Sequence, residues 1–99
     1  MVRPRLCRRI GLKPSQTYFK PAGVRMTELQ EVVLALDEYE AMRLVDLKEI
    51  DQNKAGKMMR VSQPTFSRLL KSARKKIVDA IVNGKAIKVE GGNYEFYKR

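Results

Sequence analysis

Residues 63–83 carry apolar side chains at Phe66, Leu69, Leu70, Ala73, Ile77, Ala80 and Ile81, spaced by threes and fours along the whole stretch. That spacing predicts an amphipathic helix with these residues on a buried face. Ser62 is placed to cap its N-terminus, Pro64 falls in the first turn where a missing N–H costs nothing, and Asn83-Gly84 is a stop signal. At about 100° per residue, Pro64, Arg68, Lys71 and Lys75 gather opposite the apolar stripe. Thr65, Ser67, Ser72 and Arg74 flank them. Such a helix needs a support on one side and leaves a basic, hydroxylated ridge on the other.

The support is expected just upstream. Asp51 reads as the N-cap of a short helix ending near Met59. Ala55 and Met59 lie on its inner face with Met58 beside them, and Lys54 and Lys57 point outward. Arg60-Val61-Ser62 is then a turn. A short helix, a tight turn and a longer basic helix form the layout of a helix-turn-helix, which lays its second helix in the major groove of DNA. Gln63, Thr65, Ser67 and Arg68 fall in the first turns, where such helices meet base edges. Arg bonds guanine in bidentate fashion and Gln pairs with adenine. Lys71, Arg74 and Lys75 come later and suit phosphates. Two residues depart from the usual pattern. Arg60 stands where these turns commonly have Gly, because the backbone there tends to be left-handed. Gly56 stands at the close-contact position that usually carries Ala.

Charge supports a polyanion partner. The chain of 99 residues has a formal net charge of +10, distributed unevenly. Residues 1–25 hold seven Arg and Lys and no acid, residues 26–53 hold eight acids against two bases, and residues 54–99 hold twelve bases against three acids. A basic–acidic–basic order fits a surface facing nucleic acid with an acidic back turned to solvent or protein. The length fits one small domain. Histidine is absent and Cys7 is the lone cysteine, so neither an internal disulfide nor a Cys/His metal site is expected. Without a secretory segment or a long apolar run, the expected location is the cytoplasm, away from membranes. No nucleophile–base pair or glycine-rich phosphate loop is apparent, so neither an enzyme nor a bound cofactor is expected.

The remaining segments read as follows. Residues 1–25 form a basic N-terminal arm. Its Arg3, Arg5, Arg8 and Arg9 either follow phosphates or enter a minor groove, or else belong to a solvated tail. Thr17 to Lys20 is strand-forming and stops at Pro21-Ala22-Gly23. In 26–36, Thr27 and Gln30 could cap a helix, but Val32-Val33 favour a turn and a strand at 31–36. Asp37, with Glu40 three residues on, predicts a helix over 38–48 whose acids face outward. Residues 84–99 read as a C-terminal β-hairpin about Gly91-Gly92, packed on the same domain as residues 26–83. Closing the core is its favoured role, ahead of touching DNA through Lys85, Lys88 and Lys98 or forming a dimer contact.

Several stretches resemble one family along nearly the whole chain. They are Arg3-Pro4-Arg5 with Cys7-Arg8-Arg9, Tyr18 to Gly23, Glu31 to Leu34, Asp37 to Ala41, Pro64-Thr65-Phe66, Ser72 to Lys76, and Asn83 to Ala86 with Glu90 to Tyr94. The chain is similar to the domain-of-unknown-function 134 family of small prokaryotic proteins, grouped with sigma-70 region 4-like helix-turn-helix domains. The resemblance implies DNA binding without naming an operator or ligand. The resemblance further implies that some relatives carry an added cofactor-binding domain, which is not expected in a chain of this length.

The expected fold is therefore mainly α, a sigma-70 region 4-like helix-turn-helix with a small β part. The expected function is sequence-specific DNA binding, as a transcriptional regulator. Double-stranded DNA is the expected partner, with RNA polymerase and a second copy of the chain as further candidates. The rival reading is a sigma-like interaction module that contacts polymerase or another regulator through its acidic helix.

Overall fold

Asp51 and Ser62 open the two helices expected of them. In the computed structural model, which describes residues 8–92 and the backbone of residues 94–96, Asp51 Oδ1 accepts hydrogen bonds from the N–H groups of Asn53 at 2.9 Å and Lys54 at 3.3 Å. The helix that follows, α2, spans Gln52–Met58. Ser62 Oγ accepts from the Thr65 N–H at 3.3 Å and caps α3, Gln63–Asn83. Gly84 ends α3 in the left-handed region at φ 65°, its N–H donating to the Ala80 carbonyl. Between α2 and α3, Arg60 sits at φ 60°, the left-handed conformation expected of that turn.

The acidic segment differs from expectation in two ways. Its helix, α1, spans Leu36–Met42 and passes into a π segment, Arg43–Leu47. The N-cap is Ala35 and not Asp37. The Glu38 carboxylate reaches back to accept the Ala35 N–H at 2.9 Å, so the helix begins earlier than the Asp37–Glu40 signal implied. The acids also point inward: Asp37, Glu38 and Glu40 are only 4%, 4% and 1% exposed. Each has found a cation. Arg8 Nη1 meets Asp37 at 2.8 Å, Lys76 Nζ meets Glu38 at 2.6 Å, and Arg43 grips Glu40 through Nε at 2.6 Å and Nη2 at 2.9 Å. Ser72 Oγ also donates to Glu38, and the Gly11 N–H donates to Glu40 at 2.7 Å. Buried carboxylates are tolerated only when paired and hydrogen-bonded in this way.

The C-terminal hairpin does not form. Strand β4, Ala86–Val89, lies between two others. It pairs antiparallel with β2, Tyr18–Phe19, and parallel with β3, Glu31–Leu34. Both of its edges are thus occupied. Strand β5, Tyr94–Phe96, instead pairs in parallel with β1, Arg8–Ile10. The chain between β4 and β5 crosses the start of α1, where the Leu36 N–H donates to the Gly91 carbonyl at 2.9 Å. Gly92 lies against Asp37 at φ 96°; a Cβ there would fall 2.8 Å from Asp37 Oδ1, so the approach requires glycine. The parallel β3–β4 pairing needs a long crossover, and α1, α2 and α3 together supply it. Residues 8–19 of the expected arm contribute β1 and β2. Arg3, Arg5 and Cys7, with the side chains of Tyr94 and Phe96 and all of Lys98, lie outside the described residues.

Helix α3 joins two cores. Phe66 and Leu70 pack with Ala41, Leu44, Ala55 and Met59 from α1, the π segment and α2. One further turn along, Ala73 packs with Ile10, Leu34, Leu36 and Val89 against the strands. The buried stripe matches the sequence reading through Ala80 and then stops. Ile81, expected inside, is 73% exposed, at the rim of an open groove that it shares with Phe19 and Ile87 of the sheet. Core closure by β4 does occur, with Ala86 fully buried and Val89 4% exposed.

Two predictions concern stability. A methyl group on Gly56 would meet Gln63, Phe66 and Val61 at 3.5 Å, an ordinary contact. Gly56→Ala should therefore raise stability by up to about 1 kcal/mol through helix propensity. Arg60→Gly should do the same by relieving the left-handed backbone, by about 1 kcal/mol; thermal melts of both variants read this directly. The second concerns Glu38. Burial pushes its carboxyl up, but hydrogen bonds from Lys76, Ser72 and the Ala35 N–H outweigh that and hold its pKa below the usual glutamate value. Its stabilisation is thus present above the unfolded pKa, about 4.3, and is lost as pH falls through the lower folded value. Glu38→Gln should cost about 1.5–3 kcal/mol at pH 7 and flatten the acid limb of the stability profile measured by urea unfolding.

Candidate nucleic-acid interface

The exposed side of α3 follows from what its other sides touch. Phe66, Leu70, Ala73 and Ala80 face the cores. One flank is held by Glu38, through Ser72 and Lys76. The opposite flank is held by Asp46, whose carboxylate accepts from Arg74 Nε at 3.1 Å and Nη2 at 2.6 Å. Between these flanks runs a ridge of Arg68, Lys71 and Lys75, all exposed. None of the three makes a hydrogen bond or salt bridge to another described residue. The ridge therefore presents three exposed positive charges on a capped helix, with Asp79 acting on Lys75 only through its field.

The residues expected to read bases are not equivalent. Gln63, Ser67 and Arg68 are exposed. Thr65 is half-buried, and its hydroxyl accepts from Ser62 Oγ at 2.9 Å, so it takes part in the cap. The residues expected to meet phosphate also divide. Lys71 and Lys75 stand on the ridge. Arg74 is beside it but paired with Asp46; that hydrogen bond holds the Asp46 carboxyl below its usual pKa and raises that of Arg74. Arg8 is bound to Asp37 and its side chain is 19% exposed. Arg9 lies on β1, half-buried, with its N–H donating to the Met59 carbonyl at 3.1 Å. The structure thus brings Gln63, Ser67, Arg68, Lys71, Arg74 and Lys75 onto one face of α3, while Arg8 and Arg9 belong to β1 beneath.

Two residues beside this face had no sequence signal. Gln52, at the start of α2, lines a shallow groove with Ser67, Leu70, Lys71 and Arg74. Asp46 reaches Arg74 from 28 residues away. Only folding makes these pairs neighbours. At the far end of α3, Lys85 Nζ meets Asp79 at 2.9 Å and Asn83 donates to the same carboxylate at 2.6 Å. Those bonds, that of Lys85 first, hold Asp79 below its usual pKa. Lys85 is thereby partly engaged within the chain, and Lys88 lies 3.5 Å from Glu90. Among the described residues, no group of three or more His, Cys, Asp and Glu side chains could hold a metal ion. No helix there is long and apolar enough to cross a membrane.

Comparison with known proteins places the whole chain. A family model described as a protein of unknown function, DUF134, matches residues 1–97. A UPF0251 protein of Thermoanaerobacter pseudethanolicus is 54% identical over 97 residues, covering 98% of this chain and 82% of that protein. Another from Moorella thermoacetica is 56% identical over 94 residues, covering 95% of this chain and 63% of that protein. A third, from Dehalococcoides mccartyi strain BAV1, is 48% identical over 99 residues, covering 100% and 85% respectively. No solved structure matches. With the family model spanning nearly its full length and such relatives aligned along it, the chain belongs to the DUF134, or UPF0251, family of small prokaryotic proteins.

Proposed function

We propose that the protein binds double-stranded DNA sequence-specifically as a transcriptional regulator. It does so with α2, residues 59–62 and α3 acting as a helix-turn-helix of the sigma-70 region 4-like kind. The observation that carries this reading is the ridge of Arg68, Lys71 and Lys75, exposed and without a hydrogen bond or salt bridge to another described residue, on a helix whose opposite face is buried in two cores. A groove-reading helix needs that division, since it must be held rigidly while meeting a polyanion. The left-handed backbone at Arg60 supports the same reading, because it suits the tight turn between the two helices of this motif. Gln63, Ser67 and Arg68 occupy the first turns of α3 and are assigned to base edges, with Thr65 supporting the cap. Lys71, Lys75 and Arg74 are assigned to phosphates. The rival reading, an acidic helix offered to RNA polymerase, is weakened because Asp37, Glu38 and Glu40 are buried against cations of the same chain.

Two variants separate reading from gripping. With an enriched duplex against a scrambled one, Arg68→Ala should reduce discrimination by about 1–3 kcal/mol at one base position. Lys75→Ala should weaken both duplexes alike and make the slope of log affinity against log salt shallower by about 0.9. Fluorescence anisotropy at several salt concentrations measures both. Equal binding of the two duplexes by the unaltered protein would remove the sequence-specific part of the proposal.

A further inference from the structure

We propose that Asp46 sets the strength of DNA binding by competing with backbone phosphate for Arg74. The inference rests on the DNA reading above and adds an internal restraint to it. Arg74 lies on the same helical stripe as Ser67 and Lys71, and the three border one groove with Gln52. Its side chain is 49% exposed, so a phosphate arriving along the ridge can reach it. Asp46 accepts from Nε and Nη2, the forked edge with which a guanidinium grips a carboxylate or a phosphate. The carboxylate thus fills the place that a phosphate would take. Asp46 is itself 40% exposed, so a phosphate at Arg74 also approaches a fixed negative charge.

The two flanking acids of α3 differ in kind. Glu38 is buried, and it holds the helix through Lys76, Ser72 and Ala35. Asp46 and Arg74 are both open to water, where an ion pair contributes little to stability. Removing the Asp46 charge therefore leaves the fold in place and alters the charge offered to DNA. The pair lowers affinity for any duplex, which leaves a larger share of discrimination to Gln63, Ser67 and Arg68.

The test compares the unaltered protein, Asp46→Asn, Arg74→Ala and the double variant, using a duplex of random sequence across a salt series. Circular dichroism checks that each keeps its helical signal, and Asp46→Ser stands in if Asp46→Asn does not. Asp46→Asn should bind up to about eightfold more tightly at 0.1 M salt, with a salt slope steeper by about 0.9, as one more phosphate contact requires. The double variant should lose that gain. Unchanged or weaker binding by Asp46→Asn, or a gain that survives without Arg74, overturns the competition while leaving the DNA reading intact. If the unaltered protein binds no duplex at any salt concentration, the DNA reading fails and this inference fails with it.

Discussion

Glu38 ties the molecule together. Its carboxylate starts α1 by accepting the Ala35 N–H, and it fastens α3 by accepting from Ser72 and Lys76. One buried charge therefore fixes both where the first helix begins and how the long helix lies across it. Asp37 and Glu40 extend the same arrangement to β1 through Arg8 and to the π segment through Arg43. Desolvating a carboxylate is costly, and each of these is offset by a close cation and by further N–H or O–H donors. The contacts of Glu38 thereby join the start of α1 to the middle of α3.

That setting has an electrostatic consequence. The chain carries a net charge of +10, and three of its acids sit inside, each against a cation of the same chain: Arg8, Arg43 or Lys76. The acids therefore do not screen the outer face of α3. What remains on that face is Arg68, Lys71 and Lys75, with Arg74 restrained by Asp46 at one edge. A concentrated positive ridge on a rigid helix raises the local attraction for a polyanion and the rate of encounter with it. Burial of acids and exposure of bases are thus two sides of one packing solution.

Much of this was legible in sequence wherever the cause is local. Caps act over three residues, so Asp51, Ser62 and Gly84 marked the ends of α2 and α3 correctly. Apolar spacing marked the face of α3 down to Ala80, and the left-handed turn at Arg60 followed from its place between two helices. Readings failed where the cause was distant. Asp37, Glu38 and Glu40 looked like an outward acidic face, since nothing nearby in sequence announces that Arg8 and Lys76 will meet them. Gly91-Gly92 looked like a hairpin turn. Strand β4 was already paired on both edges by β2 and β3, and Gly92 was needed where the chain crosses Asp37. Ile81 kept the helical period but stands exposed at the rim of an open groove beside Phe19 and Ile87. For the candidate interface, the exposed ridge was legible because it is one helix face. The restraint on Arg74 was not, because it joins residues 28 apart.

The central claim is that the outer face of α3 reads a particular DNA sequence. Repeated selection of duplexes from a random pool, followed by sequencing of the bound fraction, tests it most directly. The account predicts enrichment of one motif, and loss of that motif's strongest position when the selection is repeated with Arg68→Ala. A bound fraction whose sequences remain as random as the starting pool would contradict it.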